Sequence, residues 1–342
     1  MIRLSKIILF FTAVVLLAWL LPWTYRFLTV RPDRTPFTLY SCVTESFASI
    51  DFNDGDIVRH DASGKTYTDR EFDSILPLFY YRQLLSDGRQ PDTLRGVALT
   101  PQTVSMQSFY FRNSPSDINK VKPELYPLLE AMSGRVELQM PPDVFRIHDR
   151  IEFIDMATNR VNDRKSDLFT RALQAKGFEF PAACVSGNPT TRKEYDEGYM
   201  LLDGKGGLYH FKQLRGRPYV RRVDLPDSVR IADIFITEFS NRRSYAFLSD
   251  EAHNFYVLTN PGYELKQLPV GHFDPRSENI MIVADLFNWT VSISGEEGTR
   301  YYAVDADDYS LCDTLTYPAA EGVRQRVAEW LFPFDLSFTS YD

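Results

Sequence analysis

The sequence predicts a mainly β protein with helical insertions, arranged as a propeller-like antiparallel β-array and preceded by one N-terminal transmembrane helix. Three observations carry this prediction. Aromatic residues make up 14% of the chain, with 25 Phe and 19 Tyr, and aromatic side chains favour strands. A hairpin pattern recurs along the second half of the chain. The N-terminal segment contains a long apolar run without charges.

This apolar run covers residues 7–23 and has about the minimum length for a helix that spans a bilayer. Basic residues precede it, and positive charge on that side favours an N-terminus left in the cytoplasm. No small-x-small cleavage pattern follows the run. Residues 1–26 are therefore predicted as an uncleaved signal anchor and residues 27–36 as a linker, with a cleaved signal peptide as the competing interpretation.

The remaining chain, residues 37–342, is predicted as an exported β-rich domain on the periplasmic side of a bacterial inner membrane. The formal charge of -8 argues against a nucleic-acid partner, because general nucleic-acid binders collect Lys and Arg to replace phosphate counterions. The predicted partners are the membrane, through residues 7–23, and an integral membrane protein. The cysteines lack CxxC or Cys/His spacing, which favours small buried side chains over a metal site or one disulfide.

The helical insertions are expected in the first half of this domain, residues 37–197. Residues 37–52 have strand character, and the Asn-Asp-Gly turn that follows predicts a hairpin. Thr68 and Glu71 have the spacing of a capping box, which predicts a helix start, and residues 77–88 predict a second short helix. Further predicted elements are a helix over 122–132, a strand over 144–156, and a helix over 166–176 with Ser166 as its N-cap.

The second half, residues 198–318, carries a pattern that recurs at about 45 residues, the period of propeller blades. Each copy has a polar hairpin tip, a strand after the tip and an outer strand. The tips are residues 203–206, 249–252 and 294–298, and the outer strands are residues 219–225, 263–268 and 309–317. Residues 154–159 are interpreted as a degenerate earlier copy. An irregular antiparallel β-sandwich is the alternative, and residues 319–342 are predicted as a terminal helix and tail.

No catalytic, cofactor or metal-binding residue is predicted. The histidines are scattered, and the sequence contains no G-x-S-x-G, H-E-x-x-H or phosphate-loop motif. The glycine-rich residues 204–207 lack the G-K-[ST] ending of a phosphate loop. They are interpreted as a hairpin tip.

One group of residues is a candidate ligand or partner surface. It combines the densest basic group of the exported region with nearby aromatic residues, which suits an anionic partner or lipid head groups. A solvated face is the alternative for the arginines, and core packing is the alternative for the aromatic residues. The candidate residues are Tyr209, Phe211, Arg215, Arg217, Tyr219, Arg221 and Trp289.

Several stretches resemble an uncharacterised family of membrane-anchored proteins from gut Bacteroidetes, catalogued as a domain of unknown function. They are NPTTRK at 188–193, DEGY at 196–199, Asp203 and the strand LYHFK at 208–212, together with LLPW at 20–23 and LFP at 331–333. The resemblance therefore covers most of the chain. It implies a companion of ABC-type transport genes and supplies no activity or catalytic residue.

These features predict a non-enzymatic accessory or binding subunit of an envelope transport complex, without a cofactor. One alternative is a membrane-anchored solute- or glycan-binding sensor in which Tyr209, Phe211, Tyr219 and Trp289 line a pocket. A second alternative is a hydrolase, which needs a histidine beside a carboxylate and a nucleophile in one cleft.

Overall fold

The computed structural model describes residues 2–29, 35–53, 56–120, 123–132, 134, 137–319, 327–328 and 330–332. The chain begins with α1 (Ile2–Thr29), which is long and apolar enough to cross a membrane. The helix continues to Thr29, so it includes the first residues of the predicted linker.

Sheet A, the first sheet after α1, is an antiparallel meander of short strands. Its members are β1 (Phe37–Ser41), β2 (Ser46–Asn53) and β3 (Asp56–Asp61). The strand predicted over 37–52 is thus two strands, because the chain turns at Glu45, whose φ is 53°. Pairing of Asn53 with Asp56 confirms the predicted hairpin, although its turn residues 54–55 lie outside the described residues.

Short helices and strands connect sheet A to the second sheet. The predicted capping box is confirmed, since the Thr68 side chain accepts from the Glu71 amide and the Glu71 carboxylate accepts from the Thr68 amide. The elements in this connection are α2 (Asp69–Ile75), α3 (Tyr81–Ser86), β4 (Thr93–Leu94), β5 (Val97–Ala98), α4 (Pro101–Gln107), β6 (Phe109–Asn113) and α5 (Pro115–Asn119).

The helix predicted over 122–132 is wrong, because residues 123–132 are not helical and contain β7 (Tyr126–Pro127). Pro127 would remove an amide from the helix interior. Leu128 and Leu129 follow it into the core as extended chain.

Sheet B combines β7 with three further strands and is followed by a helix. Its other strands are β8 (Asp143–Ile147), β9 (Ile151–Asp155) and β10 (Arg160–Val161). The helix α6 (Asp163–Gln174) begins earlier than predicted, because the side chain of Asn162 accepts from the Lys165 amide. Ser166 lies inside the helix, where its hydroxyl donates to the Asn162 carbonyl and accepts from the Phe153 amide.

Three further sheets form from consecutive segments of the second half. Sheet C contains β11 (Ala182–Gly187), β12 (Tyr199–Asp203), β13 (Leu208–Leu214) and β14 (Arg217–Val223). Sheet D contains β15 (Ile231–Ile236), β16 (Ser244–Asp250), β17 (Phe255–Thr259) and β18 (Leu265–Gln267). Sheet E contains β19 (Asn279–Ala284), β20 (Asn288–Gly295), β21 (Gly298–Asp305), β22 (Leu311–Pro318) and β6, which pairs with β19.

The predicted hairpin tips are confirmed in all three of these sheets. They join β12 to β13, β16 to β17 and β20 to β21, and each pair is antiparallel. The predicted start of the first copy at Gly198 is too late, because β11 also belongs to sheet C. Sheets D and E likewise have two consecutive strands, rather than one, before the recurring tip.

A shared aspartate turn identifies the repeat in three dimensions and extends it to sheet A. The carboxylate Oδ1 of Asp203 accepts from the amides two and four residues later, at 2.9 and 2.7 Å. Asp250 does the same at 3.0 and 2.8 Å, and Asp61 at 2.9 and 3.1 Å. The residue three positions after each aspartate has positive φ. Sheet A therefore carries the same turn as sheets C and D, after its third strand β3.

The sheets pack face to face in the order B, C, D, E, A. Ring contacts cross these interfaces: Phe145 with Phe211, Phe247 with Trp289, and Phe47 with Tyr301. Successive packed antiparallel meanders are the arrangement of propeller blades, whereas a β-sandwich has two sheets. Among the described residues, no hydrophobic cluster joins sheet A to sheet B.

The C-terminal segment returns to α1. Residues 327–328 and 330–331 are helical, and the Phe332 ring lies 5.7 Å from the Tyr25 ring of α1. Trp330 is 80% exposed, while Ala328 is buried. The other residues of the predicted terminal helix and tail, 320–326, 329 and 333–342, lie outside the described residues.

Candidate functional site

Strand alternation divides the predicted surface residues between two faces of sheet C. Tyr209 and Phe211 are fully buried against sheet B and α6. The Tyr209 hydroxyl donates to the carbonyl of Gly177 at 2.8 Å. Trp289 is buried between sheets D and E. These three residues are core residues, so they line no accessible pocket, and the solute-binding arrangement based on them is not formed.

Tyr219 and Arg221 lie on the opposite face, beside a histidine that the sequence pattern did not single out. His210 is fully buried, and its Nδ1 lies 2.6 Å from the Tyr263 hydroxyl. The Arg221 guanidinium lies 4.2 Å from the centre of the Tyr263 ring. The Lys212 ammonium donates to the Glu197 carboxylate at 2.6 Å. Position 210 was overlooked because it stands between two aromatic core residues.

The protonation of His210 follows from its partners. Burial lowers the pKa of His210 to about 4, so the ring is neutral at physiological pH. Its Nε2 lies 2.6 Å from the Glu197 carbonyl, which can only accept. Nε2 therefore carries the proton, and Nδ1 accepts from Tyr263. Burial also raises the pKa of Tyr263, so this pair is a structural bridge between sheets C and D rather than a base with an activated nucleophile.

Four exposed arginines form what we call the basic edge: Arg215, Arg217, Arg221 and Arg222. They lie on β14, the outer strand of sheet C, and on the turn before it. None of them forms an ion pair with a carboxylate among the described residues. The turn is held in place because the Glu130 carboxylate accepts from the amides of Arg215 and Gly216 at 2.6 and 2.7 Å.

The NPTTRK and DEGY stretches form a buried ionic network. The Lys193 ammonium donates to Asp196 Oδ1 and Glu238 Oε1, each at 2.6 Å, and to the carbonyl of Asn188. The side chains of Lys193, Asp196 and Glu238 are 6%, 3% and 2% exposed. Glu238 belongs to the segment after β15, so the network fastens the β11–β12 connection of sheet C to sheet D. The sequence alone indicated a polar turn here.

Comparison with protein families identifies the chain. The model of a domain of unknown function, DUF4857, matches residues 37–304. The chain belongs to the DUF4857 family. This confirms the resemblance to an uncharacterised domain family, whereas the Bacteroidetes origin, the single-span anchor and the transporter association remain predictions. No curated protein sequence matches this DUF4857 chain.

Solved structures similar to the DUF4857 chain share little sequence with it. PorZ, described as an essential bacterial surface component of the type-IX secretion system of Porphyromonas gingivalis, has a TM-score of 0.25 and 13% identity over 83% of this chain and 27% of PorZ. The dihydro-heme d1 dehydrogenase NirN has a TM-score of 0.26 and 10% identity over 73% of this chain and 65% of NirN. The WD40 domain of SCAP from fission yeast has a TM-score of 0.33 and 10% identity over 83% of this chain and 74% of that domain. At such low scores these likenesses support no statement about function.

Proposed function

We propose that this DUF4857 chain is a non-enzymatic accessory or binding subunit of an envelope transport complex of the ABC type. In this proposal α1 anchors the chain in a bacterial inner membrane, and residues 37–342 lie on the periplasmic side. An integral membrane protein of the complex is the partner.

The basic edge is the observation that carries this proposal. The chain has a net charge of -8, yet the basic edge concentrates positive charge on β14 and the turn before it. Its arginines form no ion pair with a carboxylate in the part of the chain that the structure describes. In contrast, the two arginines at the β8–β9 hairpin are neutralised, since Arg146 and Arg150 both bind the Glu152 carboxylate. Arginine binds carboxylates through two parallel hydrogen bonds, and complementary charge directs and accelerates association. An acidic surface of the membrane partner fits this strand.

The test is affinity purification from membranes in mild detergent at low salt. The wild-type chain should recover an integral membrane protein. The double variant Arg217→Glu and Arg221→Glu should lose it, because both changes place like charges against the acidic surface. Arg160→Glu is the matched control, since Arg160 is also exposed and unpaired among the described residues but lies on sheet B.

Equal recovery by the double variant would refute the basic edge as the partner surface. Recovery of no membrane protein by the wild-type chain would refute the accessory role. Binding of the purified wild-type chain to anionic vesicles, lost in the double variant, would assign the edge to lipid head groups instead.

A further inference from the structure

A cavity lies between sheet A, the segment joining α2 to α3, and sheet E. Its volume is about 560 Å³, within the range of about 300–1,000 Å³ that ligand pockets occupy. Its wall is mostly apolar and aromatic. The residues that the argument uses are Phe37, Cys42, Phe79, Tyr110, Val283 and Asp285.

The polar groups of the wall are few and largely engaged. The Thr290 hydroxyl accepts from the Tyr40 amide at 2.9 Å. Asp285 Oδ1 accepts from the amides of Phe287 and Asn288 at 2.8 and 2.9 Å. Burial raises the pKa of the Cys42 thiol to about 12, so that group stays neutral. This wall offers an apolar molecule extensive contact, and the described residues that line it include no lysine or arginine.

The cavity is close to α1 along the chain. Phe37 lines the cavity, and only residues 30–36 separate it from α1, a distance of at most about 28 Å for extended chain. The Phe37 and Phe79 rings contact each other at 5.7 Å. Phe79 and Tyr110 are 48% and 57% exposed at the cavity, although large aromatic side chains are usually covered.

The hairpin between β2 and β3 extends this apolar surface. Phe37 pairs with Ile50, so the part of β2 that follows projects beyond the start of β1. There Phe52 pairs with Ile57, and these side chains are 48% and 52% exposed. Contiguous exposed apolar surface marks contact with another protein, a membrane or a ligand, and the short connection to α1 favours the membrane.

We propose that the cavity takes one acyl chain of a phospholipid from the bilayer in which α1 is anchored. The head group stays at the mouth, near Phe79 and Tyr110, and the hydrocarbon contacts the apolar wall. This inference depends on the proposed membrane anchoring but not on the partner that the basic edge binds.

The test is photo-crosslinking of the full-length chain in phosphatidylcholine vesicles. A trace of the lipid carries a diazirine near the end of one acyl chain, and the adducts are located by mass spectrometry after irradiation and digestion. We expect adducts on α1 and also on peptides that line the cavity, from β1 and residues 76–79. Adducts on α1 alone, in protein that floats with the vesicles, would overturn the inference while leaving the anchor intact.

A matched pair of variants on one strand tests the cavity itself. Val283→Trp should fill the cavity and reduce its adducts by about tenfold relative to those on α1, because an overpacked cavity excludes the chain. Met281→Trp adds the same bulk two residues away, outside the cavity, and should leave the adducts unchanged. A thermal melt shows whether Val283→Trp is folded. If this variant is unfolded, the positions of the adducts on the wild-type chain alone test the inference. Equal cavity adducts in a folded Val283→Trp variant would refute the assignment.

Discussion

Asp285 gives a prediction in which the sign of a pH effect follows from burial. Its carboxyl faces the apolar cavity, and burial raises its pKa from 3.8 to about 6. The native state therefore holds this proton more tightly than the unfolded chain. Stability from the protonated carboxyl is fully present below pH 3.8 and is lost as pH rises through about 6. Above that value the native state carries a poorly solvated charge.

The substitution Asp285→Asn removes the charge and keeps an Oδ1 that can accept the same two amide hydrogen bonds. The full pKa change corresponds to about 3 kcal/mol of unfolding free energy at neutral pH. Asp285 is only partly buried, so screening by solvent reduces this figure. We expect Asp285→Asn to be more stable than wild type by about 1–2 kcal/mol at pH 8, with the gain vanishing near pH 4.

The assay is urea unfolding of the full-length chain in detergent, measured for both proteins across pH 4–8. The quantity to compare is the difference in unfolding free energy between wild type and Asp285→Asn at each pH, because His210 affects the pH dependence of both proteins. Burial lowers the pKa of His210 to about 4, so the stability that this residue contributes falls as pH decreases, opposite to the effect of Asp285. Asp155→Asn is the control. Hydrogen bonds from the Thr158 hydroxyl and amide lower the pKa of Asp155, so its variant should lose stability at pH 8. An Asp285→Asn variant that is less stable than wild type at every pH would refute the reasoning.

Three further predictions concern the ionic network, the histidine bridge and the repeat, each measured by urea unfolding. Lys193→Met should cost about 3–5 kcal/mol because it leaves buried carboxylates unpaired, whereas Lys205→Met, in an exposed pair, should cost less than about 1 kcal/mol; equal costs would contradict the burial of the network. Tyr263→Phe should cost about 1–3 kcal/mol by leaving a buried acceptor unpaired, and the exposed Tyr110→Phe should be neutral. Asp203→Ala should cost about 1–3 kcal/mol through three lost amide hydrogen bonds, from Glu179, Lys205 and Gly207, and an unchanged midpoint would contradict its role in the turn.

Local signals made the N-terminal helix and the hairpin tips predictable. The apolar run and the Thr68 capping box depend on residues close together in sequence, and the helix and the cap that they predict are both confirmed, whereas membrane anchoring stays a prediction. The tip at Asp203 is confirmed because an aspartate followed by glycines specifies a tight turn wherever it stands. The helix over 122–132 failed because its apolar pattern is compatible with extended chain, and Pro127 decides between the two.

Long-range pairing was not predictable in the same way. Strand β6 joins sheet E beside β19, and nothing in residues 109–113 indicates a partner so distant in the sequence. The candidate surface shows a related limit. Aromatic residues drew attention to positions 209 and 211, but alternation buries both and places His210 with Tyr219 and Arg221. The ionic network of Lys193 could not be predicted from the sequence, because its partner Glu238 follows β15 of sheet D and is distant in the chain.

Photo-crosslinking in intact membranes shows whether the basic edge contacts an integral membrane protein. A photoreactive amino acid replaces Arg217 in one variant and Arg160 in another. Position 217 should give a covalent adduct with an integral membrane protein, and position 160 should give none. The same adduct at both positions, or no protein adduct at position 217, would mean that the basic edge is not the surface that binds the membrane partner.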